Sequence, residues 1–187
     1  MSDGQGNMIV LGVCGSIAAH RAVDLCSLLV NGGAEVNVVM TADAQRFVTP
    51  LPFKTMSRNP VVTDLYDDEE GWRPAHIRLA DEASLLLIAP CTANMLAKLA
   101  HGQADDALTC IALALQLEAR FLIAPAMNGR MWEHPATEAN VAALSERGAK
   151  FIGPAEGQLA CGYEGMGRLW EVDFIANQAL QSIGHDG

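Results

Sequence analysis

The sequence predicts an α/β protein built around a mostly parallel sheet, and two observations carry that prediction. Short, continuous apolar runs recur along the whole chain, as expected of strands that are buried on both faces. Segments with helical periodicity lie between these runs. Because such alternation is typical of a sheet covered by helices on both sides, we expect a three-layer, doubly wound (Rossmann-like) fold in a single domain.

Five apolar runs define the predicted strands in order along the chain. They are MIVLGV (8–13), EVNVVM (35–40), SLLLIAP (84–90), ARFLIAP (119–125) and AKFIG (149–153). Helical periodicity predicts helices over 16–31, over 42–57 with breaks at Pro50 and Pro52, over 92–117 with an interruption near Gly102, and over 136–147. The acidic segment 64–75 predicts a loop, after which a helix starts near His76.

Composition limits the class of protein. A chain of 187 residues with 50% hydrophobic content suits one compact domain, which we place at 8–187 after a flexible N-terminus at 1–7. Twelve Lys and Arg against 22 Asp and Glu give a net charge of -10, which argues against nucleic acid or an anionic membrane as partner. No apolar run approaches the roughly 18 residues that span a bilayer, so we expect a cytoplasmic protein.

The five cysteines show no CxxC pair and no spacing typical of metal ligands, which predicts free thiols and no metal site. Four of them have apolar neighbours and are expected to pack as small core residues: Cys14, Cys26, Cys91 and Cys110. Cys161 differs, because it lies in the glycine-rich segment GQLACGYEGMGR at 157–168. Glycine this dense predicts a loop rather than a helix or regular strand. That loop is either a lid carrying a thiol or a long surface turn.

The turns that follow the predicted strands share one edge of the sheet. Gly15 permits a tight turn, Ser16 starts a helix, and Thr41 follows the second strand. The third strand leads into Thr92, Ala93 and Asn94. Helix starts favour anions, so these positions suit a phosphate, although simple capping explains each one separately. The GxGxxG fingerprint and the Walker lysine are missing, which favours a mononucleotide such as FMN over NAD.

The fourth strand runs into PAMNGRMW (125–132), where Met127, Met131 and Trp132 are expected to pack against the core. The amide of Asn128 can donate to a carboxylate without adding charge, which suits a binding site. An imidazole can act as a base, which makes His76 a candidate for proton removal, although a lone histidine is more often structural.

Taken together, PAMNGRMW, His76 in HIRLAD, the GSIAA turn and GQLACGYEGMGR resemble the homo-oligomeric flavin-containing cysteine decarboxylases over about residues 8–172. The resemblance implies FMN as cofactor, used to oxidise a cysteinyl substrate so that it loses carbon dioxide. It also implies that 157–168 is a substrate-clamp loop, with Cys161 as the proton donor that completes the reaction.

The resemblance assigns the remaining roles by motif. His76 would act as base or orient the substrate, and Asn128 would bind the substrate carboxylate. Further substrate contacts fall on Met131, Ala160 and Gly162. The FMN positions are Gly15, Ser16, Ile17, Thr41, Thr92, Ala93, Asn94, Met95 and Ala126.

The same resemblance leaves alternatives open. The substrate is expected to be a small phosphorylated molecule, but a sibling enzyme would decarboxylate a peptide cysteine and stop at an enethiol. A non-catalytic, FMN-binding regulatory protein is a third interpretation. The family forms trimers or dodecamers with sites between subunits. The synthetase that supplies the substrate is expected either as a separate protein or as a fused downstream domain that this sequence does not include. Two departures stand out: Asp81 where some relatives carry arginine, and His20-Arg21 where many carry Tyr-Lys.

Overall fold

A computed structural model of the chain describes residues 7–66, 73–158, 162 and 164–184. Its centre is a six-stranded parallel sheet in the order β3-β2-β1-β4-β5-β6. The strands are β1 (Met8–Val13), β2 (Glu35–Met40), β3 (Val61–Val62), β4 (Leu85–Cys91), β5 (Arg120–Pro125) and β6 (Lys150–Phe151). This order confirms the predicted doubly wound fold.

Helices cover both faces of the sheet and complete the three layers. One face carries α1 (Arg21–Asn31), α2 (Pro50–Ser57) and α8 (Val172–Ser182). The other carries α3 (Ala75–Glu82), α4 (Ala93–His101), α5 (Ala107–Ala114) and α7 (Pro135–Glu146). A single-turn helix, α6 (Gly129–Trp132), follows β5. Each layer of helices buries its own apolar cluster against the sheet, and β1 and β4 are buried along their whole length.

Local sequence signals set the helix boundaries on the second face. Thr92 caps α4, since its side chain accepts a hydrogen bond from the amide of Met95. Gly102 ends that helix at a φ of +66°, a left-handed conformation that glycine adopts without strain. Asp106 and Thr109 form a reciprocal capping box at the start of α5. The predicted helix over 92–117 is therefore two helices, divided where the sequence indicated.

The sheet order creates a crevice at its carboxyl edge. Chain connections leave β1 toward β2 and leave β4 toward β5, so the two neighbouring strands diverge at that edge. Ligands of doubly wound proteins bind at such a switch point. The turns after β1, β2, β4 and β5 all lie along this rim, as the sequence predicted.

Met131, which was expected to pack against the core, is instead 49% exposed, because it borders the open cleft after β5. One expectation about secondary structure was also wrong. The glycine-rich segment was predicted as a loop, but the structure places two antiparallel strands there, β7 (Ala155–Gln158) and β8 (Glu164–Arg168). Cross-strand hydrogen bonds offset the entropic cost of ordering glycine, and Gly167 uses a φ of +138° that other residues rarely adopt. The elements β3 and α8 were not predicted. In the described part of the chain, no helix is long and apolar enough to cross a membrane.

Candidate functional site

A cleft of about 510 Å³ opens at the carboxyl rim of the sheet, within the size range of small-molecule sites. It is lined by predicted ligand positions, namely Gly15, Ser16, Thr41, Thr92, Ala93, Asn94, Met95, Ala126 and Met131. Its other walls come from residues that were not predicted to bind a ligand, namely Cys14, Ala42, Asp43, Lys98, Asp105, Asp106 and Met127. The fold therefore gathers positions that lie far apart in the chain.

Gly15 owes its place to close packing between two of the rim turns. A Cβ at this position would lie 2.4 Å from the Cβ of Asp43 and 2.9 Å from its carbonyl carbon. The turns after β1 and β2 thus touch through the missing side chain. This contact fixes the floor of the cleft where the first helical segment begins.

The three rim hydroxyls all accept hydrogen bonds from backbone amides at the starts of helical segments, and Ser16 and Thr92 are the N-caps of theirs, as the capping interpretation expects. Ser16 accepts from the amide of Ala18 at 3.3 Å, and Thr41 accepts from the amide of Ala44 at 3.2 Å. Thr92 makes the same kind of bond at the start of α4. A capping hydroxyl uses only a lone pair, so its O–H can still donate to an anion. Capping and phosphate binding are therefore compatible at each position.

An ion-pair cluster that was not predicted from the sequence forms another wall of the cleft. Lys98 Nζ donates to Asp105 Oδ1 at 2.7 Å and lies 3.4 Å from Asp106 Oδ2. The hydrogen bond to Asp105 raises the pKa of Lys98, and Lys98 lowers the pKa of the Asp105 carboxyl. The Asp-Asp pair before an apolar helix was a visible capping signal. Its pairing with Lys98 depends on how α4 and α5 fold together.

In the chain, Asn128 lies between two cleft-lining methionines, Met127 and Met131, although it does not itself line the cleft. Its Oδ1 accepts from the amide of Arg130 at 3.0 Å and caps α6. Because Oδ1 is the acceptor in this bond, the bond distinguishes the oxygen from the nitrogen of the side-chain amide and sets the orientation of that group. The turn also contacts β8, since the amide of Met127 donates to the carbonyl of Gly167 at 2.9 Å.

Other contacts tie the hairpin to the body of the domain. Glu171, just after the hairpin, pairs with Arg168 of β8 and with Arg21 of α1. Arg168 had no assigned role in the sequence, and the structure gives it this anchoring contact.

His76 is the second residue of α3, whose start lies on the carboxyl side of the sheet. It does not line the cleft of its own chain. Its Nδ1 is buried and, within the described residues, has no hydrogen-bond partner. Asp81, in the last turn of the same helix, pairs with Arg73 and accepts from Gln116 at 2.8 Å.

The remaining predicted positions lie apart from the cleft or outside the described residues. Ile17 is 61% exposed and Gly162 is exposed, and neither lines the cleft. Ala160 and Cys161 fall outside the residues that the structure describes.

Three of the four cysteines predicted for the core are buried there: Cys14, Cys26 and Cys91. Cys110 is only half-buried, because it faces the loop that joins α4 to α5 and donates to the carbonyl of Ala104. Burial, together with a hydrogen bond to Cys14, raises the pKa of the Cys91 thiol well above its usual range. The Cys91 thiol is therefore protonated at neutral pH. Among the described residues, no group of three or more His, Cys, Asp or Glu is placed to hold a metal ion.

Comparisons with known proteins agree with this geometry. The model of the family described as Flavoprotein matches residues 2–184. A probable phosphopantothenoylcysteine decarboxylase from Streptococcus mutans is 46% identical over 94% of this chain and 98% of its own length. The coenzyme A biosynthesis bifunctional protein CoaBC from Bacillus subtilis is 47% identical over 91% of this chain, which spans only 42% of that relative.

A solved structure of a PPC decarboxylase variant, in complex with pantothenoylaminoethenethiol, superposes with a TM-score of 0.85 and 32% identity. The match covers 94% of this chain and 97% of the solved one. The family match spans nearly the whole chain and supports a flavin as cofactor. The chain belongs to the flavoprotein family.

Proposed function

We propose that this chain is an FMN-dependent carboxy-lyase that converts 4'-phosphopantothenoylcysteine to 4'-phosphopantetheine in coenzyme A biosynthesis. The observation that carries the proposal is the packing of β8 against the Asn128 turn, beside a cleft suited to a flavin. The similarity to a probable phosphopantothenoylcysteine decarboxylase, 98% of which is covered by the match, adds support. A separate synthetase would supply the substrate, in the cytoplasm.

The residues of the cleft fit FMN. Capped helix starts at Ser16, Thr41 and Thr92 offer neutral donors for one phosphate. Met95, Met127 and Met131 offer apolar, polarizable surface for a flat ring. Because the sequence lacks a dinucleotide fingerprint, a mononucleotide is favoured. When bound, FMN supplies an electron acceptor that makes the cysteinyl carbon able to lose its carboxylate.

Asn128 is suited to hold the substrate carboxylate. Its amide orientation is set by the bond from Arg130, so its N–H groups present a defined donor side. Decarboxylation removes the charge from the carboxylate, so a full salt bridge would stabilise the ground state more than the transition state. A neutral amide positions the group without that penalty, which is the physical reason to prefer asparagine to arginine here.

The site is completed, in this proposal, by a second copy of the chain in a trimer or dodecamer. His76 is kept away from the cleft of its own chain, and its buried Nδ1 has no partner among the described residues. An unsatisfied buried polar atom costs about 1–3 kcal/mol, which docking against a neighbouring site would offset. His76 would then remove a proton from the substrate or orient it, and Cys161 would return a proton at the end.

Carbon dioxide release from two substrates tests the proposal. FMN-loaded protein is incubated with 4'-phosphopantothenoylcysteine or with a peptide ending in cysteine, without oxygen. We expect release from the phosphorylated substrate and at least tenfold less from the peptide. Asn128→Ala should lower the rate about 100-fold, whereas the matched control Asn140→Ala, on α7, should keep it. Release from the peptide alone would favour a peptidyl-cysteine decarboxylase, and FMN binding without any release would favour a regulatory protein.

A further inference from the structure

Lys98 is held in the wall of the cleft by two carboxylates. Its side chain is only 18% exposed, and its Nζ bonds to Asp105 at 2.7 Å and to Asp106 at 3.4 Å. All three side chains border the cleft, yet none belongs to the motifs that the resemblance explains. Lys98 belongs to α4, and both of its partners lie at or just before the start of α5. Bonds to both partners restrict the rotation of its flexible side chain.

The support on the α5 side is rigid. Asp106 Oδ1 accepts from both the amide and the hydroxyl of Thr109, each at 2.8 Å, and its second oxygen faces Lys98. An ammonium group has three N–H bonds. Within the described residues, Lys98 uses two of them on these carboxylates. The third N–H is therefore available to a ligand in the cleft.

The charges around the cleft make this cation important. Its described lining includes three carboxylates, of Asp43, Asp105 and Asp106, and no cation besides Lys98. A ligand that gains negative charge would be repelled by these groups if Lys98 were neutral. Lys98 lies six residues after Thr92, or about 9 Å along the helix axis, and so is not part of the capped helix start.

We propose that Lys98 is a positioning residue that holds one N–H toward the flavin ring and raises the reduction potential of the bound flavin. The inference rests on the FMN binding of the proposed function. Two-electron reduction adds negative charge to the pyrimidine part of the ring, and a nearby fixed cation stabilises that charge. Asp105 and Asp106 keep the Lys98 ammonium in place, and their negative charges limit how far it raises the reduction potential of the flavin.

Flavin potentials, measured without substrate, test this role. FMN-loaded wild type, Lys98→Met, Lys98→Arg and Asp105→Asn are equilibrated anaerobically with a reference dye and a reductant. At a fixed dye potential, Lys98→Met should lower the ratio of reduced to oxidised flavin about tenfold. Lys98→Arg should stay within about threefold of wild type, since it keeps the charge. Asp105→Asn should raise the ratio, because it removes a negative charge.

A second set of measurements uses riboflavin in place of FMN. Riboflavin has the flavin ring but no phosphate. If Lys98 acts at the ring, Lys98→Met should lower the ratio of reduced to oxidised riboflavin about tenfold as well. An effect that disappears with riboflavin, or a Lys98→Met potential equal to wild type, would overturn the inference. If Lys98→Met does not fold, Lys98→Gln takes its place, since it keeps a polar donor without the charge, and a potential equal to wild type rejects the role. Wild-type protein that binds FMN but releases no carbon dioxide would refute the proposed function and leave this test intact, whereas failure to bind FMN would refute both.

Discussion

Gly167 lies directly against the carbonyl of Met127, and the two residues join the hairpin to the turn that carries Asn128. The amide of Met127 donates to the carbonyl of Gly167 at 2.9 Å. A Cβ on Gly167 would lie 2.2 Å from the carbonyl oxygen of Met127, well inside contact distance. The position of β8 and the position of the Asn128 turn are therefore interdependent.

Gly167→Ala should disturb this junction. The new methyl group must displace the Met127 carbonyl, and the φ of +138° adds strain, so we expect a loss of about 1–3 kcal/mol in the free energy of unfolding. Activity should fall more than tenfold, because Asn128 moves with its turn.

Gly148→Ala is the matched control for this variant. Gly148 also has a positive φ, of +95°, but a Cβ there would meet nothing within 4 Å. The Gly148→Ala variant should therefore lose stability through backbone strain alone, and its kcat should stay at the wild-type value. Urea unfolding and steady-state rates measure both effects. Equal loss of activity in the two variants would contradict the claim that the Gly167–Met127 contact positions Asn128.

Gly15→Ala should weaken FMN binding. The methyl group would push against Asp43 and separate the turns after β1 and β2, which frame the cleft. We expect the Kd for FMN to rise about tenfold or more, measured by quenching of flavin fluorescence. Adding Asp43→Gly removes the nearest clashing atom and should restore part of the affinity. A double variant as weak as Gly15→Ala would show that the contact with Asp43 is not the cause.

Most of the fold followed from the sequence, since buried parallel strands leave an unmistakable apolar run. The strands β1 and β2 begin and end where their runs do. The two-residue strand β3 was missed because it is too short to show a pattern, and its pairing with β2 is a tertiary event. The two strands β7 and β8 were missed because glycine content argues against strands locally, whereas their stability comes from pairing with each other.

The site was predictable where it depends on strand ends. Ser16, Thr41 and Thr92 each follow a recognisable apolar run, and parallel strands bring their ends together. Lys98 was not predictable, because no local signal places a lysine inside α4 against the start of the next helix. Nor could sequence reasoning find the contact between Met127 and Gly167, which are forty residues apart in the chain.

Mixing two inactive variants tests whether the site lies between protomers. His76→Asn and Asn128→Ala each remove one partner from every site of a pure oligomer. In randomly mixed oligomers, about a quarter of the sites would combine an intact His76 from one protomer with an intact Asn128 from the next. Co-expression should therefore restore about that share of the wild-type rate. If both residues of a site came from one chain, mixing would restore nothing.

The thiol of Cys26 should be inert in the folded protein. Burial raises its pKa from 9.0 to about 11, so at pH 8 it is protonated as well as enclosed. Iodoacetamide should modify Cys26 only after unfolding, as mass spectrometry of digested protein can follow, and should reach the half-buried Cys110 sooner.

The same raised pKa predicts a pH dependence. The unfolded thiol ionises first, so the stabilising contribution is complete below pH 9 and is lost between about pH 9 and 11. Over that range, the free energy of unfolding should fall more steeply for wild type than for Cys26→Ala. If the free energy of unfolding fell equally with pH in wild type and in Cys26→Ala, Cys26 would not be the source of the pH dependence.

The most direct test of the account is the product formed from 4'-phosphopantothenoylcysteine by the FMN-loaded protein, analysed by mass spectrometry without oxygen. The proposed function predicts carbon dioxide and fully reduced 4'-phosphopantetheine from wild type. Cys161→Ser should still release carbon dioxide but accumulate the unsaturated enethiol, because the proton donor is missing. Normal amounts of 4'-phosphopantetheine from Cys161→Ser would contradict the role of Cys161. FMN-loaded wild type that releases no carbon dioxide would contradict the central claim.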